Sequence, residues 1–328
     1  MSALLEVEGV SKRYHGKRGT VVACHDVSLK VEAGEVVGLV GESGSGKSTV
    51  ASMVLGLVEP DEGAIRFRGR DVRECLAKDR IGFRAGVQGV FQQPRAALDS
   101  RRQIGWSLME PMVVHKIGTR ASRERRVDEL LRAVDLDPSL ANRKPHQLSG
   151  GQLQRVNIAR ALSLDPELLI CDEPVSALDV SVQSQVLNLL EDIRERTGVG
   201  MLFISHDLGV VRYLCDRLVV MYAGRVVEEG EVDVVRDTAA HPYTRALLGA
   251  AMKVSVRGAV GVEAAEESAT TPPREDLPRD GCMFAPRCAM VRDACRTGEP
   301  PLVEIGPSRL TACLRHAELP PMDASVFA

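Results

Sequence analysis

Residues 41–49 read Gly-Glu-Ser-Gly-Ser-Gly-Lys-Ser-Thr and follow a short apolar run at 35–40. The stretch fits the phosphate-loop pattern G-x-x-x-x-G-K-[ST]. Glycines let a backbone approach phosphates closely, and the backbone N–H groups and the following helix N-terminus supply partial positive charge. The pattern therefore predicts a strand, a phosphate-binding loop and a helix in that order. The candidate nucleotide-binding residues of this loop are Gly41, Ser43, Gly44, Ser45, Gly46, Lys47, Ser48 and Thr49.

Two acids follow a second apolar run, at 168–171. Asp172 and Glu173 lie at the carboxyl end of a predicted strand, where ligands bind in open α/β sheets. We expect Asp172 and Ser48 to hold Mg²⁺, with Lys47 reaching the β- and γ-phosphates. We expect Glu173 to orient or deprotonate an attacking water.

Three further side chains are candidates for the same site. His206 ends the next predicted strand, and we expect it to contact the γ-phosphate. Gln92 lies where another strand should end, so it is a candidate for touching Mg²⁺ and reporting its state to a helical insertion. Tyr14 is a candidate for stacking on adenine. The alternative for each is an ordinary structural role. The predicted catalytic residues are thus Lys47, Gln92, Glu173 and His206.

A second glycine motif, Leu-Ser-Gly-Gly-Gln, occupies 148–152. Its two glycines open a predicted helix, and a helix N-terminus attracts anions. Together with the other motifs it resembles the nucleotide-binding subunit of ABC ATPases, over about residues 4–250. The resemblance implies that two chains close head to tail around ATP, with Asp179 in the loop that crosses the interface. It also implies that the γ-phosphate held by the facing chain is bound by Ser149, Gly150, Gly151 and Gln152.

The resemblance and the order of predicted elements imply one fold class. We expect an α/β fold: a P-loop ABC ATPase domain with a mainly parallel sheet, an N-terminal antiparallel β subdomain and a helical subdomain, plus a small Cys-containing C-terminal extension. The predicted divisions are an ABC nucleotide-binding domain at 1–250, with its helical subdomain at about 95–165, a linker at 251–281 and a Cys-rich extension at 282–328.

Two motifs in the C-terminal part of the sequence resemble one particular family of ABC ATPases. His-Pro-Tyr-Thr-Arg at 241–245 and Gly-Cys-Met-Phe-Ala-Pro-Arg-Cys at 281–288 resemble the C-terminal part of ATPase subunits from the oligopeptide/dipeptide/nickel importer family. The resemblance implies ATP hydrolysis that energises import of di- or oligopeptides, or a related small solute, across the cytoplasmic membrane. The implied partners are a second ATPase subunit, identical or different, two transmembrane permease subunits gripped near Gln92 and an extracytoplasmic solute-binding protein. The implied location is the cytoplasmic face of the membrane, held through the permeases.

A group of cysteines marks the region after residue 281, which has few large apolar side chains. These residues are Cys282, Cys288, Cys295 and Cys313. Four thiolates can hold an iron–sulfur cluster, and the family resemblance implies a 4Fe–4S cluster here. Zinc is an alternative, although the C-x2-C pairs usual for zinc are absent. Four buried cysteines without metal, or a redox sensor that regulates transport, are the other interpretations.

Composition excludes several classes of partner. The net charge of −3, from 42 basic and 45 acidic residues, gives no overall basic field, so nucleic acid is not an expected partner. No apolar run approaches the roughly 18–20 residues that span a bilayer. The start of the chain lacks the features of a secretion signal, so we expect it to stay in the cytoplasm. The alternative functions are a soluble ABC ATPase in translation or DNA repair, and an unrelated phosphate-loop kinase or GTPase.

Overall fold

The computed structural model of the chain describes residues 3–16, 19–257 and 280–322. Within these ranges the chain forms a four-stranded antiparallel sheet and an eight-stranded mixed sheet. The strands are β1 (Leu5–Gly16), β2 (Gly19–Val31), β3 (Val36–Val40), β4 (Glu62–Phe67), β5 (Arg70–Asp71), β6 (Val87–Val90), β7 (Leu168–Asp172), β8 (Gly200–Ser205), β9 (Arg217–Tyr222), β10 (Arg225–Glu231), β11 (Val303–Gly306) and β12 (Arg309–Thr311).

The larger sheet carries the predicted motifs at one edge. Its strand order is β11-β12-β10-β9-β3-β8-β7-β6, and the run from β9 to β6 is parallel. Every residue of β3 and β8 is buried, as expected for parallel strands covered on both faces. Alternate side chains of β3 enter different cores: Val36 and Val40 face one, and Val37 and Leu39 face the other. Because the strands are parallel, the ends of β3, β6, β7 and β8 share one edge.

Helices cover both faces of this sheet. They are α1 (Lys47–Val54), α2 (Val72–Lys78), α3 (Arg80–Gly86), α4 (Ile104–Val114), α5 (Arg120–Ala133), α6 (Gly150–Ala161), α7 (Val180–Thr197), α8 (Leu208–Leu214), α9 (Val232–Thr238) and α10 (Pro242–Arg257). Helix α1 packs between the two sheets through residues such as Val50 and Met53. Helices α4 to α8 pack on the opposite face. The predicted fold class is confirmed.

The predicted helical insertion consists of α4, α5 and α6, which lie between β6 and β7 in the chain. Helix α5 begins at a capping box formed by Thr119 and Ser122, and it buries Val127, Leu130 and Leu131. A Ser or Thr cap that bonds the first turn stabilises a helix start, so local sequence accounts for this element. The division of the chain into domains stays a prediction.

Two features of the C-terminal half concern the predicted domain division. Helix α10 runs past the predicted boundary at residue 250 to Arg257, and residues 258–279 of the predicted linker lie outside the described residues. The extension does not stand apart, because β12 pairs with β10 and continues the larger sheet. Pairing covers what would otherwise be the exposed edge of β10. In the part of the chain that the structure describes, every helix is too short or too polar to span a bilayer.

Candidate active site

The phosphate loop joins β3 to α1 and closes around its own lysine. Gly46 has a φ of 106°, and a Cβ at this position would lie 2.4 Å from the carbonyl oxygen of Ala23, so only glycine fits. Lys47 Nζ donates hydrogen bonds to the carbonyl oxygens of Gly41 at 2.6 Å and Glu42 at 2.9 Å. Burial lowers the pKa of Lys47. The ammonium group is thus held inside the loop, in a desolvated position where an anion would interact with it strongly.

The end of β7 faces the start of α1. Ser48 Oγ donates a hydrogen bond of 3.2 Å to Asp172 Oδ1. Burial raises the pKa of Asp172, so a cation beside this carboxylate would stabilise its charged form. A hydroxyl and a carboxylate are hard oxygen donors of the kind that Mg²⁺ prefers, and the two residues therefore fit the predicted metal. Gln92, the third predicted ligand, makes different contacts in this structure.

Glu173 lies between Gln92 and His206. Its Oε2 accepts a hydrogen bond of 3.0 Å from Gln92 Nε2, which also donates to Ser176 Oγ at 3.2 Å. Its Oε1 lies 3.3 Å from His206 Nδ1. The hydrogen bond with His206 lowers the pKa of Glu173, and the same contact raises the pKa of the imidazole. The structure therefore brings two predicted catalytic residues, Gln92 and His206, to the ionised carboxylate of a third, Glu173.

The second glycine motif forms the start of α6. Ser149 Oγ accepts a hydrogen bond of 3.3 Å from the Gln152 N–H, and Gln152 Oε1 accepts one of 3.0 Å from the Ser149 N–H. Ser149 and Gly150 are exposed. A Cβ on Gly151 would lie 2.5 Å from Val182 Cγ1, so the glycine allows α6 to approach α7 closely. These contacts organise an exposed helix N-terminus rather than joining it to the phosphate loop of the same chain.

Two other candidates are exposed in this single chain. Asp179 is the exposed residue that precedes α7. Tyr14 lies near the end of β1 and is 43% exposed, with Lys12 Nζ at 5.9 Å from its ring centroid. An exposed ring leaves a face free for stacking. The roles of both residues stay predictions.

Two contacts of the phosphate loop were missed by sequence reasoning. Tyr243 Oη, on α10, accepts a hydrogen bond of 2.9 Å from the Glu42 N–H. Arg287, from the C-terminal extension, forms an ion pair with the Glu42 carboxylate. In the sequence analysis, the motifs that contain Tyr243 and Arg287 indicated only the family. No local pattern links either residue to the phosphate loop, which is far away in the chain.

The clustered cysteines line one cavity. Cys282, Cys288, Cys295 and Cys313 lie around it together with the buried His241. Burial raises the pKa of the Cys313 thiol to about 11, and it also raises the pKa values of Cys282 and Cys288. Among the residues described in 3–16, 19–257 and 280–322, no group of three or more Cys, His, Asp or Glu is arranged to hold a metal ion. The cavity therefore offers four thiols as donors without a ready metal geometry.

A phosphate loop after β3, acids at the end of β7 and a histidine after β8 define an ATP-binding cassette hydrolase. Residues 24–176 match the ABC transporter family, and residues 227–295 match the C-terminal region of oligopeptide/dipeptide transporters. A putative peptide import ATP-binding protein of Brucella ovis is 45% identical over 95% of this chain and 98% of its own length. The oligopeptide transport ATP-binding protein AppF of Bacillus subtilis is 42% identical over 94% of this chain and 96% of its own.

Solved structures agree with this class. The dimeric ATP-binding cassette MJ0796, in a post-hydrolysis state bound to ADP and phosphate, has a TM-score of 0.64 at 31% identity. The match covers 70% of this chain and 98% of that one. The chain belongs to the family of ABC transporter ATP-binding subunits that carry the oligopeptide/dipeptide transporter C-terminal region. The predicted family and the predicted ATP hydrolase activity are confirmed.

Proposed function

We propose that this chain hydrolyses ATP to energise an ABC importer of di- or oligopeptides, or of a related small solute. One observation carries the proposal: the same chain combines a phosphate loop facing Asp172 and Glu173 with a region that matches oligopeptide/dipeptide transporters. Relatives that match almost its whole length are named for peptide import or for peptide transport. The alternative of a soluble ABC ATPase in translation or DNA repair has no comparable support.

The phosphate loop supplies most of the nucleotide binding. Lys47 and the backbone N–H groups at the start of α1 bind the β- and γ-phosphates, which reach them in place of the carbonyl contacts that Lys47 makes now. Ser48 and Asp172 hold Mg²⁺, which neutralises phosphate charge when it is bound. Tyr14 stacks on adenine. The exposed position of the Tyr14 ring and the Ser48–Asp172 contact support these assignments.

Glu173 acts on the attacking water. The water oxygen bonds to the γ-phosphorus, the bond from that phosphorus to the β–γ bridging oxygen breaks, and Glu173 orients the water and accepts its proton. Because its pKa is lowered, Glu173 is ready as the carboxylate. His206 contacts the γ-phosphate, and Gln92 reports the state of the site to α4–α6. Both side chains hold Glu173 before nucleotide binds.

Hydrolysis requires a second chain. Ser149, Gly150, Gly151 and Gln152 bind the γ-phosphate held by the facing ATPase subunit, and Asp179 lies in the interface. The exposed N-terminus of α6 supports this arrangement. Closure of the pair does work on two transmembrane permease subunits contacted near Gln92, and an extracytoplasmic solute-binding protein delivers the solute. The chain thus acts at the cytoplasmic face of the cell membrane.

A pull-down tests the transport proposal. Tagged Glu173→Gln protein is recovered from detergent-solubilised membranes with ATP and Mg²⁺, and its partners are identified by mass spectrometry. We expect two permeases and an ATPase partner. Lys47→Ala, which should not retain ATP, is the control for nucleotide-dependent association. Recovery of ribosomal or DNA-repair proteins in place of permeases would contradict the proposal.

We also propose that the four clustered cysteines hold a 4Fe–4S cluster. The support is their shared cavity and the thiol donor set that such clusters use. Anaerobic purification followed by iron, zinc and acid-labile sulfide assays tests this. We expect iron and sulfide, and we expect both to be lost in Cys288→Ser but kept in Cys75→Ser. Zinc without sulfide would favour a zinc site, and metal-free protein would favour a purely structural role for the cysteines.

A further inference from the structure

The C-terminal extension touches the phosphate loop directly. Arg287 ends a short 3-10 turn at Ala285–Arg287, and its guanidinium forms a bidentate ion pair with the carboxylate of Glu42. The two nitrogen–oxygen distances are 3.0 and 3.1 Å, across a separation of 245 residues in the chain. Glu42 is the second residue of the loop at 41–49. The contact therefore links the last part of the fold to the nucleotide site.

Glu42 places a negative charge in a loop that binds phosphates. Its side chain is 8% exposed, so water screens the charge poorly. Burial lowers the pKa of Lys47, and the Glu42 carboxylate is among the acids that oppose this shift, which places it within electrostatic reach of the ammonium group. Left without a counterion, this carboxylate would repel a triphosphate held by Lys47.

Aromatic rings hold Arg287 in place. Its guanidinium carbon lies 5.8 Å from the ring centroid of Tyr222 and 5.6 Å from that of Phe284. Tyr243 packs against Tyr222 at 4.6 Å and against Phe284 at 5.5 Å. The hydroxyl of Tyr243 accepts the hydrogen bond from the Glu42 N–H. One aromatic cluster thus supports both the backbone and the counterion of Glu42.

We propose that Arg287 is a positioning residue for ATP binding, through which the C-terminal extension neutralises Glu42 and completes the phosphate site of its own chain. The planar guanidinium matches a carboxylate with two parallel hydrogen bonds, which lysine cannot reproduce. With this pair formed, the charge of Glu42 is neutralised where Lys47 and the loop N–H groups meet the phosphates.

Three variants test the proposal by the direction of their effects. Arg287→Ala is expected to raise the KM for ATP about tenfold with little change in kcat, because an unpaired charge beside the phosphates weakens binding. Glu42→Gln is expected to leave the KM equal or lower, since it removes the repulsive charge. The double variant is expected to return close to the KM of the unmodified protein. ATP affinity measured by calorimetry in the Glu173→Gln background should follow the same order.

An ion pair that only attached the C-terminal extension to the loop would give a different order of KM values. If the ion pair only attached the extension, Glu42→Gln would raise the KM as Arg287→Ala does, and the double variant would show no recovery. That outcome would overturn the proposal. Arg287→Lys keeps the positive charge and is the variant to use if Arg287→Ala does not fold. Its KM for ATP should lie between those of the unmodified protein and Arg287→Ala. Arg292→Ala is the matched control: this arginine of the same extension pairs with Glu318 at 3.1 Å, and its removal should leave the KM unchanged.

Discussion

At the scale of single residues, Glu173 has an unusual backbone. Its φ is +48°, in the left-handed region that costs a non-glycine residue on the order of 1–3 kcal/mol. Its N–H donates to the Ile204 carbonyl at 3.0 Å, and Gln92 and His206 hold its carboxylate. The chain therefore keeps a strained residue whose side chain is fixed at the end of β7, where the nucleotide is expected.

Substitution of this residue separates binding from hydrolysis. Glu173→Gln keeps the side-chain shape but removes the base, so we expect kcat to fall about 10²- to 10⁴-fold while ATP still binds. Steady-state ATPase rates and nucleotide calorimetry measure both quantities. Glu124→Gln, an exposed residue of α5 paired with Arg120, should leave both unchanged. If Glu173→Gln retained its ATPase rate, another residue would have to activate the attacking water.

The Glu173–His206 contact also predicts a titration. The carboxylate raises the pKa of His206 above its ordinary value of about 6.5, so the imidazole stays protonated to higher pH in the nucleotide-free protein. Glu173→Gln removes that charge while burial still opposes protonation, and the pKa of His206 should fall. NMR titration of labelled histidines, with the His206 signal assigned from His206→Gln, measures the shift. An unchanged His206 pKa in the Glu173→Gln protein would show that the two side chains do not interact in solution.

At the scale of elements, the start of α6 depends on a close approach to α7. An alanine at position 151 would meet Val182, and overpacking of this kind costs about 1–3 kcal/mol. We expect Gly151→Ala to lower the thermal unfolding midpoint and the ATPase rate, and Gly151→Ala/Val182→Ala to recover most of the stability. Calorimetric unfolding of the two variants measures this. A double variant no more stable than Gly151→Ala would place the strain elsewhere.

The start of α10 predicts a sensitivity to acid. His241 is 1% exposed, its Nδ1 accepts the Tyr243 N–H at 3.1 Å, and burial lowers its pKa to about 3. Since the unfolded chain binds this proton below about pH 6.5 and the folded chain does not, stability falls as the pH drops through that window. The loss from pH 7 to 5 amounts to roughly 2 kcal/mol.

His241→Asn tests that prediction, because the amide can accept the same hydrogen bond but does not titrate. Urea unfolding at pH 7, 6 and 5 should show a smaller loss of stability in the variant than in the unmodified protein. Parallel losses in the two proteins would show that other groups cause the acid sensitivity.

The elements also show what sequence alone can predict. Strands β3, β7 and β8 were predictable because each is a short apolar run that leads into a motif residue, Gly41, Asp172 or His206. Helix α10 was not predicted, and the domain boundary predicted at residue 250 falls within it. Strands β11 and β12 were missed because short strands with few apolar residues owe their place to backbone pairing with β10.

At the scale of the whole molecule, the parts of the candidate site that lie in local motifs were predictable, and the contacts between residues far apart in the chain were not. The phosphate loop, the acids of β7 and His206 were predictable, since parallel strand ends meet at one edge of a sheet. The partners of Glu42 were not, because Tyr243 and Arg287 lie 201 and 245 residues away. Sequence reasoning treated the C-terminal extension as an appendage, and the structure joins it to the sheet and to the nucleotide loop.

Transport is the central claim, and uptake by the reassembled transporter tests it most directly. The complex recovered with this chain would be reconstituted in vesicles. ATP would be placed on the side of this subunit, and the solute-binding protein and a labelled peptide on the opposite side. We predict peptide accumulation that requires ATP and is lost with Glu173→Gln but kept with Glu124→Gln. ATP hydrolysis by an intact complex that neither moves peptide nor responds to the peptide-loaded binding protein would contradict the account.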